Sequence, residues 1–395
     1  MPCLNEADTL ARCIEKAQRG IQRSGVAGEI IVADNGSTDD SRALVEKLGA
    51  RLVLVKEPGY GNALRGGIQA ATGKWILMGD ADDSYDFSEA DLFVKKFQEG
   101  FELVMGCRLP AGGGTIMPGA MPWKNRWVGN PILSFIGRQF FRCPARDFHC
   151  GLRGFTKAAF EKMELQTTGM EFASEMVIKA TFKQLKITEV PITLHKDGRS
   201  RPPHLKPWRD GWRHLRFMLI YSPRWLFLIP GLLFSVLGAV FAAVLSFQDI
   251  IIGQVVLNVG TLTMACMAVV VGFQLVSFAF FTKVFAIAER LLPADLKFAR
   301  LFKVFTLEKG VIAGLLVLLA GLILFLRAVW IWKQAGYGML PYAENLRRLI
   351  PSATLVILGI QIIFSSFFMS VLGLSTGSRR PPELPREDSA TSSGL

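Results

Sequence analysis

The chain has 395 residues, of which half are hydrophobic and a fifth are charged, and its mean hydropathy is +0.33. This composition excludes a disordered chain, and it is more hydrophobic than is typical of a purely soluble protein. Lysine and arginine outnumber aspartate and glutamate by 45 to 33, a net charge of +12 that favours phosphate groups or an anionic membrane surface as partners, with no nucleic acid expected.

Helix and strand patterns alternate through residues 1–204. Helical periodicity covers 6–24, 39–48, 59–71 and 88–98, and short apolar runs at 29–33, 51–55, 75–79 and 103–107 predict buried strands. This alternation predicts an α/β domain with a mostly parallel sheet. In such sheets ligands bind beyond the carboxyl ends of the strands.

The first residues lack a strand pattern. The sequence around Met1 reads as a loop that already leads into the first helix. Sheets of this kind normally begin with an apolar strand. We therefore predict that the first strand is missing and that the natural chain begins further upstream.

Acidic residues follow the third apolar run. Asp80, Asp82 and Asp83 lie within four positions, and their charges repel one another unless a cation is present. A hard divalent ion, Mg²⁺ or Mn²⁺, fits such oxygen ligands, and the phosphates of a nucleotide diphosphate would complete its shell. The alternative is a solvated acidic turn. The position directly after a strand favours the metal site.

Several motifs together carry a family resemblance. P-C-L-N-E at 2–6, A-D-N-G-S-T-D at 33–39, G-D-A-D-D at 79–83 and G-C-R at 106–108 resemble the inverting family 2 glycosyltransferases of GT-A fold. D-F-H-C-G-L-R-G-F at 147–155 and E-V-P-I-T-L-H-K-D-G-R-S at 189–200 narrow it to the polyprenyl-phosphate group, which includes the dolichol-phosphate mannose and glucose synthases. The resemblance covers about residues 1–224. It implies a GT-A, Rossmann-like domain.

The resemblance implies roles for individual positions on the donor side. Asp80 and Asp82 match the metal-binding motif. The group often has Gln where Ser84 stands, which puts a third metal contact in doubt. The positions that hold the base and ribose of the nucleotide are matched by Pro2, Asn5, Glu6 and Asp34.

Further positions match the acceptor side and its cations. Arg108 and Arg126 lie where the group has cations near the sugar and phosphates, Arg126 being placed only by its distance from Arg108. Asp147 and Arg153 match the stretch near the acceptor. Glu175 is an alternative to Asp147 for orienting the acceptor, or else a surface carboxylate. The remaining basic candidates for phosphate contacts, each alternatively a surface charge, are Lys196, Arg199 and Arg201. The isolated histidines, which we interpret as structural, are His149, His195, His204 and His214.

The implied reaction is transfer of a hexose, glucose or mannose, from a nucleotide-diphosphate sugar to a polyprenyl phosphate, with inversion at the anomeric carbon. The resemblance is also compatible with a homo-oligomer. A processive polysaccharide synthase is an alternative, but its Q-x-x-R-W motif is absent, since Cys143 follows Gln139–Arg142. A non-catalytic membrane subunit is the other alternative, and the intact D-x-D sequence argues against it.

The second half contains four apolar runs, at 225–247, 255–281, 311–332 and 350–374. Each exceeds the roughly 20 residues that span a bilayer, so we predict a helical domain of four transmembrane spans rather than buried core helices. Lys and Arg are absent from 248–254, whereas 282–310 contains six. This bias places both termini and the middle loop in the cytoplasm and predicts an integral protein of the cytoplasmic (inner) membrane.

Two flanking segments complete the predicted organisation. Residues 205–224 read as an amphipathic helix in the membrane interface, with aromatic residues on one face and arginines on another. The alternative is a helix packed on the soluble domain. Residues 375–395 are rich in Pro, Ser and charge, which predicts a disordered tail.

Overall fold

The computed structural model describes residues 1–200, 207–289, 291–293 and 306–377. The chain forms two compact units, Met1–Ser222 and Pro223–Leu395. The predictions for Arg201 and His204, and for the tail from residue 378 onward, lie outside the described residues. The predicted domain boundaries at 204 and 224 stay a prediction.

The first unit alternates strands and helices as its sequence pattern predicts. Its strands are β1 (Pro2–Cys3), β2 (Ile31–Asp34), β3 (Arg51–Leu54), β4 (Trp75–Met78), β5 (Leu103–Cys107), β6 (Thr115–Ile116), β7 (Arg153–Thr156), β8 (Ile187–Pro191) and β9 (Thr193–Leu194). Its helices are α1 (Ala7–Ser24), α2 (Ser41–Lys47), α3 (Tyr60–Ala70), α4 (Ala90–Gln98), α5 (Asn130–Phe141), α6 (Lys157–Met163), α7 (Phe172–Phe182) and α8 (Pro207–Ile220).

The main strands form two adjoining groups. The order β1-β2-β3 is parallel throughout, and the second group has the order β4-β7-β5-β8. In the second group β7 runs antiparallel to β4 and β5, whereas β5 and β8 are parallel. The mostly parallel, GT-A-like sheet predicted from the sequence is therefore confirmed.

The start of the chain differs from its prediction. We expected no strand before the first helix, but Pro2 and Cys3 form a short strand that pairs with Ala33 and Asp34. The amino group of Met1 donates a hydrogen bond to the carbonyl of Ile31 at 2.9 Å. Its burial lowers the pKa of this amino group to about 6. Two residues are enough because the backbone, not an apolar pattern, makes this pairing.

Helix α1 illustrates why the elements form where they do. Its buried side chains recur at helical spacing, with Leu10, Cys13 and Ile14 all fully buried. It ends at Ser24, and the next residue, Gly25, adopts the left-handed conformation (φ 69°) that favours glycine. The buried face packs beside β2, where Val32 is also fully buried, and so holds the strand ends in place.

Helix α8 belongs to the first unit. Met218 is fully buried in the core that α5 and α7 also line, whereas Trp212 is 59% exposed. The helix therefore packs on the soluble unit with one face and leaves an aromatic side chain exposed on another. Its predicted location in a membrane interface stays a prediction.

Among its described residues, the second unit contains four helices long and apolar enough to cross a membrane. The first of these spans is Arg224–Leu245, which includes helix α9 (Ile229–Leu245). The other three are formed by α10 (Val259–Ala288), α11 (Leu307–Gln334) and α12 (Tyr342–Gly377). The second span begins later than predicted, because Val255–Leu257 pairs with Ile250–Ile252 in an antiparallel hairpin, β10 and β11. β-branched residues on both sides of a tight turn favour a hairpin over the end of a helix.

Candidate functional site

Polar side chains collect beyond the carboxyl ends of β1, β2, β4 and β5. At the end of β2 the Asp34 carboxylate is buried, accepts hydrogen bonds from the backbone amides of Gly36 and Ser37 at 3.2 Å, and pairs with Arg42 at 2.8 Å. Asn5 accepts a hydrogen bond from the Thr38 amide at 2.7 Å. The turn after β2 is therefore tied to the segment after β1, where Asn5 lies, while Pro2 belongs to β1 itself.

The D-x-D sequence follows β4. The Tyr60 hydroxyl donates to one oxygen of Asp80 at 2.9 Å. Burial, and then the neighbouring Asp82, raises the pKa of Asp80 to about 6. The Asp82 carboxylate accepts hydrogen bonds from the backbone amide and the hydroxyl of Ser84, at 3.1 and 2.6 Å. Ser84 thus holds Asp82 in place, a supporting role that its sequence position did not reveal.

Asp83 does not belong to this acidic pair. Its backbone has a positive φ of 64°, and its side chain forms ion pairs with Lys16 at 2.7 Å and Arg12 at 3.4 Å. The repulsion among three carboxylates that the sequence suggested is therefore relieved at Asp83 by ion pairs, and Asp80 and Asp82 stay the predicted metal ligands. One lysine and one arginine side chain already compensate its charge.

Glu6 and Asp82 are connected by an arginine. Arg199 forms a two-fold hydrogen bond with the Glu6 carboxylate at 2.9 and 2.7 Å, and its other terminal nitrogen lies 3.4 Å from Asp82. Its side chain is only 12% exposed, so Arg199 is not a surface charge. The resemblance predicted Glu6 beside the nucleotide, and the sequence left open whether Arg199 is a phosphate contact or a surface charge. Only the fold brings residues 193 positions apart into contact.

Asp80 and Asp82 fit a divalent cation that also binds a substrate phosphate. One Asp80 oxygen is bonded to Tyr60 and leaves the other for a ligand, and the outer oxygen of Asp82 faces only Arg199 among the described residues. Mg²⁺ and Mn²⁺ commonly use one or two protein carboxylates together with phosphate oxygens. No group of three His, Cys, Asp or Glu side chains is placed to bind a metal within the described ranges.

Arg108 and Asp147 form a buried ion pair. Two guanidinium nitrogens and the backbone amide of Arg108 bond to the Asp147 carboxylate at 2.7, 2.8 and 3.0 Å. Glu189 supports the pair by accepting from the Asp147 amide at 2.9 Å. The resemblance placed Arg108 beside phosphates and Asp147 beside the acceptor. In the structure, the Nε and Nη2 atoms of Arg108 bond to Asp147 instead. Only Arg108 Nη1 has no hydrogen-bond partner among the described residues.

Arg153 is fully buried and bonds to backbone carbonyls. It donates to Cys150 through two nitrogens and to Ala173 at 2.6 Å. Burial lowers the pKa of its guanidinium. Arg153 thus fixes the loop that follows Asp147. Its positive charge also favours ionised Asp80.

Arg126 is not brought to the other predicted residues. Its guanidinium lies 5.3 Å from the ring centre of Trp127. Across the described ranges it makes no hydrogen bond or ion pair with the rest of the predicted site. Its placement from sequence distance alone therefore stays a prediction without a supporting contact.

Two interpretations of titratable residues are wrong. Glu175 is neither exposed nor directed at an acceptor, because it is fully buried, pairs with Lys179 at 2.8 Å and accepts from the Gln166 and Thr167 amides. The histidines are not all isolated, since the rings of His149 and His214 lie 4.9 Å apart. The histidine contact joins segments distant in sequence, whereas the Glu175–Lys179 pair is a local contact within α7.

Comparison with known protein families shows which family this chain belongs to. Residues 1–164 match the family described as "Glycosyl transferase family 2", and residues 280–373 match "Glycosyltransferase family 2 C-terminal transmembrane region". The chain belongs to glycosyltransferase family 2. It is a glycosyltransferase and an integral membrane protein, as its motifs and apolar runs predicted.

Individual proteins similar to this chain indicate its group within the family. The "Low-salt glycan biosynthesis hexosyltransferase Agl6" of Haloferax volcanii is 36% identical over 94% of this chain and 88% of that protein. The "Dolichyl-phosphate hexose transferase" of the same organism is 26% identical over 46% of this chain and 75% of that protein. The resemblance to the polyprenyl-phosphate group is confirmed. A solved structure of glucosyl-3-phosphoglycerate synthase from Mycobacterium tuberculosis, with Mn²⁺ and UDP-glucose, aligns with 23% identity over 56% of this chain and 76% of that one, at a TM-score of 0.44.

Proposed function

We propose that this enzyme transfers a hexose, glucose or mannose, from a nucleotide-diphosphate sugar to a polyprenyl phosphate at the cytoplasmic face of the membrane. The observation that carries the proposal is the pair Asp80 and Asp82 at the end of β4, in a family 2 chain with four candidate spans. The names of its two Haloferax relatives support a hexose and a lipid phosphate as substrates.

The donor is proposed to lie along the ends of β1, β2 and β4. Pro2, Asn5, Glu6 and Asp34 would contact the base and ribose, with Asp80 at the diphosphate end. Support comes from the hydrogen bonds that tie the segment after β1 to the turn after β2. Buried Asp34 is fixed by two amides and Arg42, so a ribose hydroxyl would meet a preorganised acceptor.

Asp80 and Asp82 would hold Mg²⁺ or Mn²⁺ together with the donor phosphates. When bound, the ion would neutralise negative charge on the departing diphosphate. Tyr60 and Ser84 orient the two carboxylates through hydrogen bonds of 2.9 and 2.6 Å. Each aspartate can therefore bind without first reordering its side chain.

The acceptor chemistry needs little proton transfer. A phosphate oxygen is already anionic at neutral pH, so it can attack the anomeric carbon without a strong base. The site must instead bring two anions together, which requires cations and fixed positions. Arg108 Nη1 and Arg126 are the proposed phosphate contacts, and Asp147 and Arg153 hold the loop beside the acceptor. Attack opposite the leaving diphosphate would invert the anomeric centre.

The test is a transfer assay on the full-length protein in lipid nanodiscs. Radiolabelled UDP- and GDP-sugars are supplied with Mg²⁺ or Mn²⁺ and a polyprenyl phosphate, and label is counted in the organic phase. We expect one hexose donor to label the lipid, and Asp82→Asn to reduce the rate at least 100-fold. Asp83→Asn is the matched control and is expected to keep more than a third of the rate.

Other results would contradict the proposal. Water-soluble polymer without labelled lipid would favour a processive synthase. Absence of turnover with every donor, in protein whose thermal unfolding is cooperative, would favour a non-catalytic membrane subunit. Equal loss in Asp82→Asn and Asp83→Asn would contradict the assignment of the metal site.

A further inference from the structure

The loop after β9 closes over the D-x-D segment. The Gly198 amide donates to the Asp82 carbonyl at 3.0 Å, and the His195 amide donates to the Ser84 carbonyl at 2.9 Å. Ser200 bonds to the Asp8 carboxylate at 2.5 Å through its hydroxyl. These contacts attach residues 195–200 to both the D-x-D loop and the start of α1.

Arg199 is placed by this loop between two acidic side chains. Glu6 is 5% exposed, and the side chains of Arg199 and Asp82 are 12% and 14% exposed. Carboxylates removed from water to this extent require a compensating charge. With only the protein's own groups present, Arg199 supplies that charge to both.

The two contacts of Arg199 differ in quality. Its bonds to Glu6 are paired and short, at 2.9 and 2.7 Å, which is the strong geometry for a guanidinium and a carboxylate. Its approach to Asp82 is a single contact at 3.4 Å. The Asp82 contact is therefore the weaker one, and Glu6 can hold the arginine while Asp82 is released.

A divalent ion and Arg199 compete for the same carboxylate. An ion bound at Asp82 would lie close to the guanidinium, and like charges this close in a partly buried site repel each other. A donor diphosphate changes the balance, because it offers the arginine a new anionic partner.

We propose that Arg199 is the internal counter-cation of the donor site: it neutralises Asp82 while the site is empty and exchanges Asp82 for the donor diphosphate when metal and donor enter. Glu6 keeps hold of the arginine throughout. The inference rests on the proposed function and adds a positioning residue to it. Metal alone then binds weakly, and metal and nucleotide strengthen each other's binding.

The test measures Mn²⁺ affinity rather than turnover. Free Mn²⁺ is followed by electron paramagnetic resonance during titration of the full-length protein in nanodiscs, alone and with UDP or, separately, GDP. In Arg199→Gln we expect Mn²⁺ alone to bind at least threefold tighter than in the unsubstituted protein. The gain in affinity from the nucleotide should shrink at least threefold.

Arg12→Gln is the matched control. It also removes one arginine charge near the loop, but Arg12 pairs with Asp83 and its side chain is 53% exposed. We expect its Mn²⁺ affinity to match the unsubstituted protein within twofold. Arg199→Lys keeps the charge and guards against a folding defect of the glutamine variant. It too should stay within twofold for Mn²⁺ alone.

The outcomes separate this inference from the proposed function. Unchanged or weaker Mn²⁺ binding in Arg199→Gln would overturn the counter-cation role, as would an equal gain in Arg12→Gln. If Asp82→Asn loses Mn²⁺ while Arg199→Gln behaves like the unsubstituted protein, only the inference fails. If the unsubstituted protein binds no Mn²⁺ even with nucleotide, the metal-dependent function fails with it.

Discussion

Arg108 and Asp147, both proposed as site residues, form a buried ion pair that also supports the fold. Arg108 gives two nitrogens and its amide to Asp147, and Glu189 fixes Asp147 from the other side. Removing one partner of such a pair leaves a charge in a site with little water. The contribution of either residue to catalysis therefore has to be separated from its contribution to stability.

We expect Asp147→Ala to destabilise the protein by about 3–5 kcal/mol, because it leaves the Arg108 guanidinium without its carboxylate. Thermal unfolding of the detergent-solubilised protein measures the loss. Asp91→Ala is the control, since the ion pair of Asp91 with Lys95 involves an exposed lysine. A melting temperature for Asp147→Ala within a degree of the unsubstituted protein would contradict a structural role for the pair.

Glu89 gives a pH-dependent prediction away from the site. Burial, followed by the charges of Asp86 and Asp91, raises its pKa to about 7 from 4.5. A raised carboxyl pKa means that ionising Glu89 destabilises the fold, progressively as the pH rises from about 4.5 to about 7. Glu89→Gln should therefore stabilise the protein at pH 8 by about 1–2 kcal/mol after allowing for solvent screening, and not at pH 5.

Melting temperatures at the two pH values check this. Glu99→Gln is the control, because the Glu99 side chain is 50% exposed. A stabilisation by Glu89→Gln that is the same at pH 5 and pH 8 would contradict the buried-charge explanation.

At the residue scale, the sequence indicated which charged residues matter better than it indicated which side chains they contact. Asp80 and Asp82 were predicted as metal ligands because acidic residues directly after a buried strand have few structural uses, and their role stays a prediction. Asp83 could not be separated from them, since its ion pair with Lys16 depends on a left-handed backbone turn and on α1. Tyr60 and Glu189 were not predicted as site residues, because each reaches the site from a distant element. Arg199 was predicted either as a phosphate contact or as a surface charge, and its contact with Glu6 and Asp82 could not be predicted.

At the element scale, glycines set the approach of the membrane helices. A Cβ on Gly359 would lie 2.6 Å from the Leu318 backbone nitrogen, and one on Gly321 would lie 2.7 Å from that of Val356. Helices α11 and α12 therefore pack with their backbones in close contact, as small residues allow inside membranes. No larger side chain fits at these positions without moving a helix.

We expect Gly359→Leu to lower the melting temperature in detergent by at least about 5 °C, because the added side chain would force α11 and α12 apart. Leu319→Trp adds bulk to α11 at a position that is 54% exposed, and serves as the control with little expected change. Equal effects of the two substitutions would contradict close packing at Gly359.

Element types were easier to predict than their ends. Four long, uninterrupted apolar runs indicated the four candidate spans. Short apolar runs between helical patterns indicated strands β2 to β5. The pattern missed the β10–β11 hairpin because apolar residues before α10 continue the apolar run of the helix. It also missed β1, whose two residues carry no pattern and are defined by hydrogen bonds to β2.

At the scale of the whole molecule, the charge of the connections predicts its orientation. All six cysteines are buried, so an introduced thiol can be detected against a low background. Gln254→Cys, in the hairpin between α9 and α10, should react with a membrane-impermeant maleimide on intact cells. Gln22→Cys, exposed on α1, should react only after permeabilisation. The reverse pattern would contradict a cytoplasmic catalytic unit.

The proposed nucleophile of the reaction is a lipid phosphate. The most direct measurement compares two lipids of equal chain length, polyprenyl phosphate and polyprenol, as acceptors for the labelled hexose in one nanodisc assay. A phosphate oxygen is already anionic and attacks without a base, whereas an alcohol must first lose its proton. We therefore expect transfer to the phosphate to be at least 100-fold faster than transfer to the alcohol. Equal transfer to both lipids, or label only in water-soluble product, would contradict it.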